Sequence, residues 1–465
     1  MEPRLSHLFV RWGKRSRLPR LQAVCRLTVP ALFIFSPLLR AQPSPDLAAI
    51  LERLDRVERQ NQELTEEVRA LRAQLGPAQP EPSPQTPPVE QRLDIQDQRI
   101  DEQAQTKVES SQKFPIRFTG MALFNSFINS RQSGGVDYPT IAAATGPEHS
   151  GATVRQTILG LEFRGPEAVW GAQVRGSVYM DFFSGTAPLA QTMRLRTGSV
   201  ELDWATRNVL VGVEKPIFNP REPSSLAMVG LSPLTGAGNL WLWMPQARFE
   251  QDFSLGTQNG IRAVMGVVQT RELPPYPGST ATGSLEAARP GLEGRYEFFH
   301  KFDDDRRIEI APGFHVSATH FGGVSIPSQV VSIDWLFKPV RRLEFTGAYF
   351  HGQNLAILGT GAMRQGFDVD HDAPEPVHSQ GGWGQITIHA LPRLDFHLFS
   401  GQEDDRNRDL ISGLVGKNLL YGGNLYFRLA PNVLLSWEAT QMRTVYLGQG
   451  VRINNHYDVA IGYLF

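Results

Sequence analysis

The sequence predicts an all-β fold, a sixteen-stranded antiparallel transmembrane β-barrel with an N-terminal α-helical coiled coil before it. From Phe114 onward, apolar and polar residues alternate with a period of two, as strands with one apolar and one wet face require. The connections between these segments alternate between long and short, like the outer loops and periplasmic turns of outer-membrane barrels. The chain also opens on a basic stretch followed by an apolar run, the pattern of an exported protein. A closed barrel is the one way in which strands cross a bilayer with every backbone group paired.

Composition narrows the function classes. The 465 residues carry a formal net charge of -1, which gives no basic footprint for nucleic acid. Hydrophobic residues make up 41%, an average that suits a soluble protein and equally a barrel whose inner face is wet.

At the N-terminus, Arg4, Arg11, Lys14, Arg15, Arg17, Arg20 and Arg26 precede the apolar run Leu27 to Leu39. This predicts a signal peptide over residues 1–41, cleaved after Ala41. The weaker alternative is a membrane anchor, for which the run falls short of the ~20 residues a spanning helix needs. Cys25, the one cysteine, lies upstream of the run and leaves with the signal, so the mature chain has no disulfide chemistry.

Residues 42–76 read as a periplasmic coiled coil. Leu47, Leu54, Asn61, Val68 and Leu75 occupy a positions, and Ile50, Val57, Leu64 and Leu71 occupy d positions. Asn61 interrupts the a row at its centre, where a buried amide fixes register at a cost in stability. A lone amphipathic helix on another surface is the alternative, although such a helix usually buries a wider stripe. Residues 77–113 follow as a proline-rich spacer and a short polar helix. Pro77, Pro80, Pro82, Pro84, Pro87 and Pro88 make the spacer stiff and extended.

The barrel takes residues 114–465. Strands are predicted over 115–129, 154–164, 169–183, 194–205, 208–215, 245–254, 259–270, 289–299, 306–319, 328–337, 342–353, 380–390, 393–401, 417–429, 432–445 and 452–465. Trp170, Ala172, Val174, Val178, Met180 and Phe182 are assigned to lipid, opposite Gln173, Arg175, Ser177, Tyr179 and Asp181. Val331, Ile333, Trp335 and Phe337 likewise oppose Ser332 and Asp334. The last strand sets Ile453, Tyr457, Val459, Ile461, Tyr463 and Phe465 against Arg452, Asn454, His456 and Asp458. A soluble sandwich or propeller would reverse these faces.

The connection 216–244 is too apolar to sit in solvent. Either it folds into the lumen, with Arg221 and Glu222 placed to sort ions, or Trp241 and Trp243 pack between subunits. The lumen phase carries mixed charge, with Arg164, Arg175, Arg248 and Arg295 set among Glu162, Asp181, Glu201, Asp203, Glu250, Glu293, Glu309, Asp334, Asp395 and Glu438. Rings of opposed charge orient and filter solutes. Asp368, Asp370, His371, Asp372 and His378 crowd together without the spacing of a calcium or zinc site, and read as a plain acidic loop. No nucleophilic arrangement stands out, so an enzyme is not expected.

With these features assembled, the chain resembles the DcaP-like porins of the Gram-negative outer membrane over nearly all of its mature length. The local matches are Gln156 to Leu161, Val178 to Phe183, Met193 to Arg196, and Leu210 to Gly212 leading to Phe218. The resemblance implies a homotrimer of sixteen-stranded barrels with a periplasmic coiled coil, and a preference for small anionic solutes. Arg194 and Arg196 match and become constriction candidates beside Arg175, Asp181, Arg221, Glu222 and Arg248. Ile158 stands where an Arg is expected and Val213 where a Gln is expected, which puts the anion preference in question. Asn61 at an a position often specifies dimers, against the trimer that the resemblance implies.

The functional expectation is a porin in the cell outer membrane, open to passive diffusion of small hydrophilic solutes, with no cofactor and no metal. Its partners would be further copies of itself, outer-membrane lipid and the barrel assembly machinery, for which Phe465 resembles the recognition signal. The alternative is a structural tether, in which the coiled coil links the outer membrane to the cell wall.

Overall fold

A computed structural model describes Glu66 and residues 116–184, 191–361, 363–369 and 373–465. The signal peptide, Cys25, the nine heptad positions, the proline-rich spacer and the trio Asp370, His371 and Asp372 lie outside the described residues.

The chain builds a closed antiparallel barrel. Its strands are β1 (Ile116–Asn129), β2 (His149–Thr153 and Ile158–Glu167), β3 (Gln173–Ser184), β4 (Thr192–Asp203), β5 (Arg207–Glu214) and β6 (Met244–Leu255). They continue as β7 (Asn259–Gln269), β8 (Pro290–Lys301), β9 (Arg307–Phe321), β10 (Val324–Val340) and β11 (Leu343–Gln353). β12 (His378–Leu391), β13 (Leu394–Asp405), β14 (Val415–Ala430), β15 (Val433–Tyr446) and β16 (Gly450–Leu464) complete the wall. Both segments of β2 pair with β1, so they count as one interrupted strand among sixteen. β16 returns to β1 from Met121 opposite Leu464 to Asn129 opposite His456, which leaves no open edge.

Period-two patterning explains why these segments are strands. In β16, Tyr457, Val459, Ile461 and Tyr463 are exposed on the outer face, while Asn454, His456 and Asp458 are buried inside. The same division holds in β10, where Val331 and Ile333 face out and Ser332 and Asp334 face in. An apolar outer band over a polar interior is the reverse of a soluble fold.

Three details differ from the sequence reading. The predicted long connections 320–327 and 446–451 are tight, because β9 runs on to Phe321 and β10 starts at Val324, and β15 runs to Tyr446 and β16 starts at Gly450. Gly322 and Gly323 make that turn with φ of 57° and 83°, a left-handed pair that side chains resist. β3 starts only at Gln173: Val169–Gly171 forms a 3-10 turn, and Trp170 stands 90% exposed at its tip. Ala172, expected to face lipid, is fully buried because the turn folds over it.

Inside the barrel the core is built by loops. Ala142 of loop 130–148 and Leu234 and Ala237 of loop 215–243 pack on Trp383, Phe399, Leu420 and Met442 of the wall. Phe218 and Leu240 pack on Val330 and Phe350, joined by Leu355, Ile357 and Leu358 of loop 354–377.

Candidate functional site

The 215–243 loop enters the lumen and is hydrogen-bonded around much of its wall. Near its start, Ile217 N donates to Glu293 Oε2 at 2.7 Å, and Glu293 Oε1 lies 2.9 Å from His315 Nδ1. Across the barrel, Ser225 Oγ donates to Glu438 Oε2 at 2.6 Å and Asn424 Nδ2 to Ser224 O at 2.8 Å. Gln156 Oε1 accepts from Val229 N and Gly230 N at 2.7 Å each, while its Nε2 donates to Ala227 O at 2.8 Å. Asn418 Nδ2 bridges the two inner loops, donating to Thr140 O at 2.8 Å and Gly236 O at 2.7 Å. Wall side chains thus replace the water that loop backbone would otherwise need. Close approach completes the fit: a Cβ on Gly238, φ 93°, would lie 2.3 Å from Gly382 O.

Arg194 and Arg196 belong to this anchoring. Both grip Asp181, which is fully buried, at 2.8 and 2.7 Å. Arg196 Nη1 also donates to Val229 O at 2.7 Å, and Arg194 Nη2 donates to Gly230 O. The Arg196 guanidinium sits 4.4 Å over the Trp243 ring, a cation–π contact at the end of the loop. Trp241 is buried 5.1 Å from Trp243, so the pair packs inside the barrel rather than between subunits.

What the loop leaves open lies against β6 to β9, a cavity of about 410 Å³. Five arginines line it, Arg221, Arg248, Arg262, Arg295 and Arg307, against Glu250, Glu297 and Glu309. Arg221, from the loop, reaches Asp334 at 2.5 Å, Glu309 at 2.5 Å and Glu297 at 3.3 Å. Burial works against its charge, but Asp334 and Glu309 outweigh that and hold its pKa above the ordinary value. Arg295 pairs with the same Asp334 at 2.7 Å and with Glu297 at 2.7 Å. Arg262 pairs with Glu250 at 3.0 Å and Asp252 at 2.9 Å, and Arg307 shares Glu309 with Arg221, at 3.0 Å. Arg248 has no ion pair among the described residues, and its buried Nε has no hydrogen-bond partner there.

The other predicted site residues lie apart. Glu222 is tied to Lys215 at 2.9 Å. Arg175 is over half exposed and pairs with Asp203 at 3.0 Å. Six residues separate it from Asp181 along β3, about 20 Å of strand. His378 meets Asp409 at 2.8 Å, and Asp368 sits in a two-residue hairpin with Glu375–Pro376. The sequence reading did not single out Arg262, Glu297 and Arg307, although each falls on the inward phase of its strand. It also passed over the Glu293–His315 pair as an anchor, since nothing local ties Glu293 to Ile217.

No family model matches the chain, and no curated protein matches it. Solved structures do. The outer-membrane channel DcaP of Acinetobacter baumannii superposes with a TM-score of 0.62 at 15% identity, over 75% of this chain and 97% of that one. The anion-selective porin from Comamonas acidovorans does so with a TM-score of 0.51 at 11% identity, over 75% and 99%. The resemblance drawn from the residues thus extends to the fold: this chain shares the barrel architecture of the DcaP outer-membrane channel.

Proposed function

We propose that this chain is an outer-membrane porin, a water-filled channel for passive diffusion of small hydrophilic solutes with anions favoured. The observation that carries it is the division of the lumen by the 215–243 loop. One side is packed with apolar side chains; the other keeps a charged cavity of about 410 Å³ against β6 to β9. A barrel serving only as an anchor has no use for an open, charged passage. Five arginines there are matched by three glutamates and by Asp334 and Asp252, which pair with Arg221, Arg295 and Arg262. Arg248, the lining arginine without an ion pair among the described residues, is the one that meets a passing anion. Arg221 shapes the constriction from the loop, and Asp181, Arg194 and Arg196 hold that loop in place. The similarity in fold to a porin described as anion-selective supports the same reading.

The functional unit in this proposal is a homotrimer, with a cleaved signal over residues 1–41 and a periplasmic coiled coil over 42–76. Phe465 serves as the address read during insertion. The test is single-channel recording of the full protein in planar bilayers under a salt gradient. Stepwise openings in groups of three and a reversal potential on the anion side are expected. A silent barrel overturns the channel, and a cation-side potential overturns the preference.

A further inference from the structure

The outer wall is not uniform. Outward positions of β4 to β7 are filled by residues such as Leu202, Val200, Val211, Phe249, Met265 and Val267. On β11 to β13 the outward row is small instead: Gly347 pairs with Gly384, and Gly384 pairs with Ser400. That row ends on Trp335 of β10 at one side and Tyr421 of β14 at the other. The Trp335 ring lies over Gly347, so with strands about 4.8 Å apart Gly384 and Ser400 form the floor of a trench between two aromatic walls. The resulting groove has a volume of about 690 Å³, with Phe345, Ile386 and Leu398 along its periplasmic flank. It is open space: a Cβ built on Gly384 meets nothing within 4 Å.

Toward the long-loop side the same wall turns polar. Tyr421 donates to Gln441 Oε1, and Gln441 Nε2 donates to Asn455 Oδ1 at 2.8 Å. Arg443 pairs in register with Leu419, one step above Tyr421, which places it about 8 Å diagonally from the groove edge. It is exposed on the outer face and has no ion pair among the described residues. Lys417, the neighbouring outward cation, is already held by Asp404 at 2.7 Å.

We propose that this wall binds a phosphorylated glycolipid of the outer leaflet, with an acyl chain lying in the groove over Gly384 and a phosphate on Arg443. The groove opens at the depth of the apolar band, where the available occupant is hydrocarbon, and an unfilled trench forfeits the contacts of its lining. A second copy fits it poorly, since a convex barrel wall leaves a concave trench empty. The Arg443 guanidinium above it, without an ion pair among the described residues, complements a phosphate, which accepts paired N–H donors from arginine. The inference rests on the barrel lying in an outer membrane.

The test is native mass spectrometry of the full protein in detergent, offered diphosphoryl lipid A or, as control, dioleoylphosphatidylcholine. Retention of lipid A in preference to the control is expected. Gly384→Leu fills the groove without strain and should lower that retention roughly tenfold. Arg443→Gln should lower it roughly threefold and remove the preference for the phosphorylated lipid. Neither side chain faces the lumen, so both variants should conduct as the parent does; loss of conductance in the parent itself would instead sink the channel. Equal retention by parent and both variants overturns the lipid site. So does a Gly384→Leu protein that falls apart into single barrels while keeping its lipid, which would mark the wall as a contact between copies.

Discussion

At the residue scale, two arginines that line one cavity differ in what they are free to do. Arg221 is held by Asp334, Glu309 and Glu297, whereas Arg248 has no ion pair among the described residues. A paired guanidinium is already neutralised and contributes mainly structure; an unpaired one contributes field. Arg248→Gln should therefore reduce anion over cation permeability roughly threefold, about 0.7 kcal/mol, with thermal stability almost unchanged. Reversal potentials and a melting curve on the same preparation measure both, and an unchanged potential rejects Arg248 as the selective group. Arg221→Gln should act on both quantities, since it leaves buried Asp334 with Arg295 alone, a loss on the order of 3 kcal/mol. Asp181→Asn makes a third comparison. It releases Arg194 and Arg196 from their shared carboxylate, so the expected signature is noisy, flickering current rather than altered selectivity. Quiet traces would show that the hydrogen bonds to Val229 and Gly230 hold the loop without Asp181.

At the scale of elements, the 215–243 loop behaves as a fixed partition, because its backbone is bonded to Gln156 in the break of β2 and to β4, β8, β12 and β14 along its course, and its Ser225 side chain to β15. Gly238→Leu tests this directly, since any Cβ there collides with Gly382 O and must push the loop off the wall. Larger single-channel conductance with a lower melting temperature is expected; unchanged conductance would mean that the passage is not limited by the loop. The strands themselves were legible in the sequence, as was the inward phase of Asp181, Arg248, Arg295 and Asp334, because a period of two is written locally. The partners were not. Arg221 and Asp334 are 113 residues apart, and only strand register with the path of the loop brings them together. For the same reason Arg194 and Arg196 read as lining residues and stand as anchors. Loop lengths misled at 320–327, where polar residues near the strand ends look like loop until the glycine turn fixes the register.

At the scale of the whole molecule, the seam between β1 and β16 closes the barrel and holds the residue proposed as the insertion address. Phe465 exchanges backbone hydrogen bonds with Gly120 at 3.1 and 3.2 Å, and its ring stacks 5.1 Å from Phe118. Removing Phe465 should lower the amount of assembled protein in the membrane while the barrels that do insert keep their conductance. A drop in conductance per channel would instead tie this residue to the pore. The larger question is whether residues 42–113 serve the pore or the envelope, and deletion separates the two. The lumen partition, the charged cavity and the closing seam all lie within β1 to β16 and their loops, so a chain lacking 42–113 retains every feature on which conduction depends. Such a protein should conduct with the parental unit conductance and reversal potential. If the coiled coil assembles the trimer, the grouping of steps in threes should weaken; if barrel contacts dominate, it should persist. If the segment is a tether to the cell wall, the deletion should leave the currents intact and reduce the protein that cosediments with peptidoglycan. A deletion that abolished conduction from properly inserted barrels would refute the channel as assigned to the barrel alone.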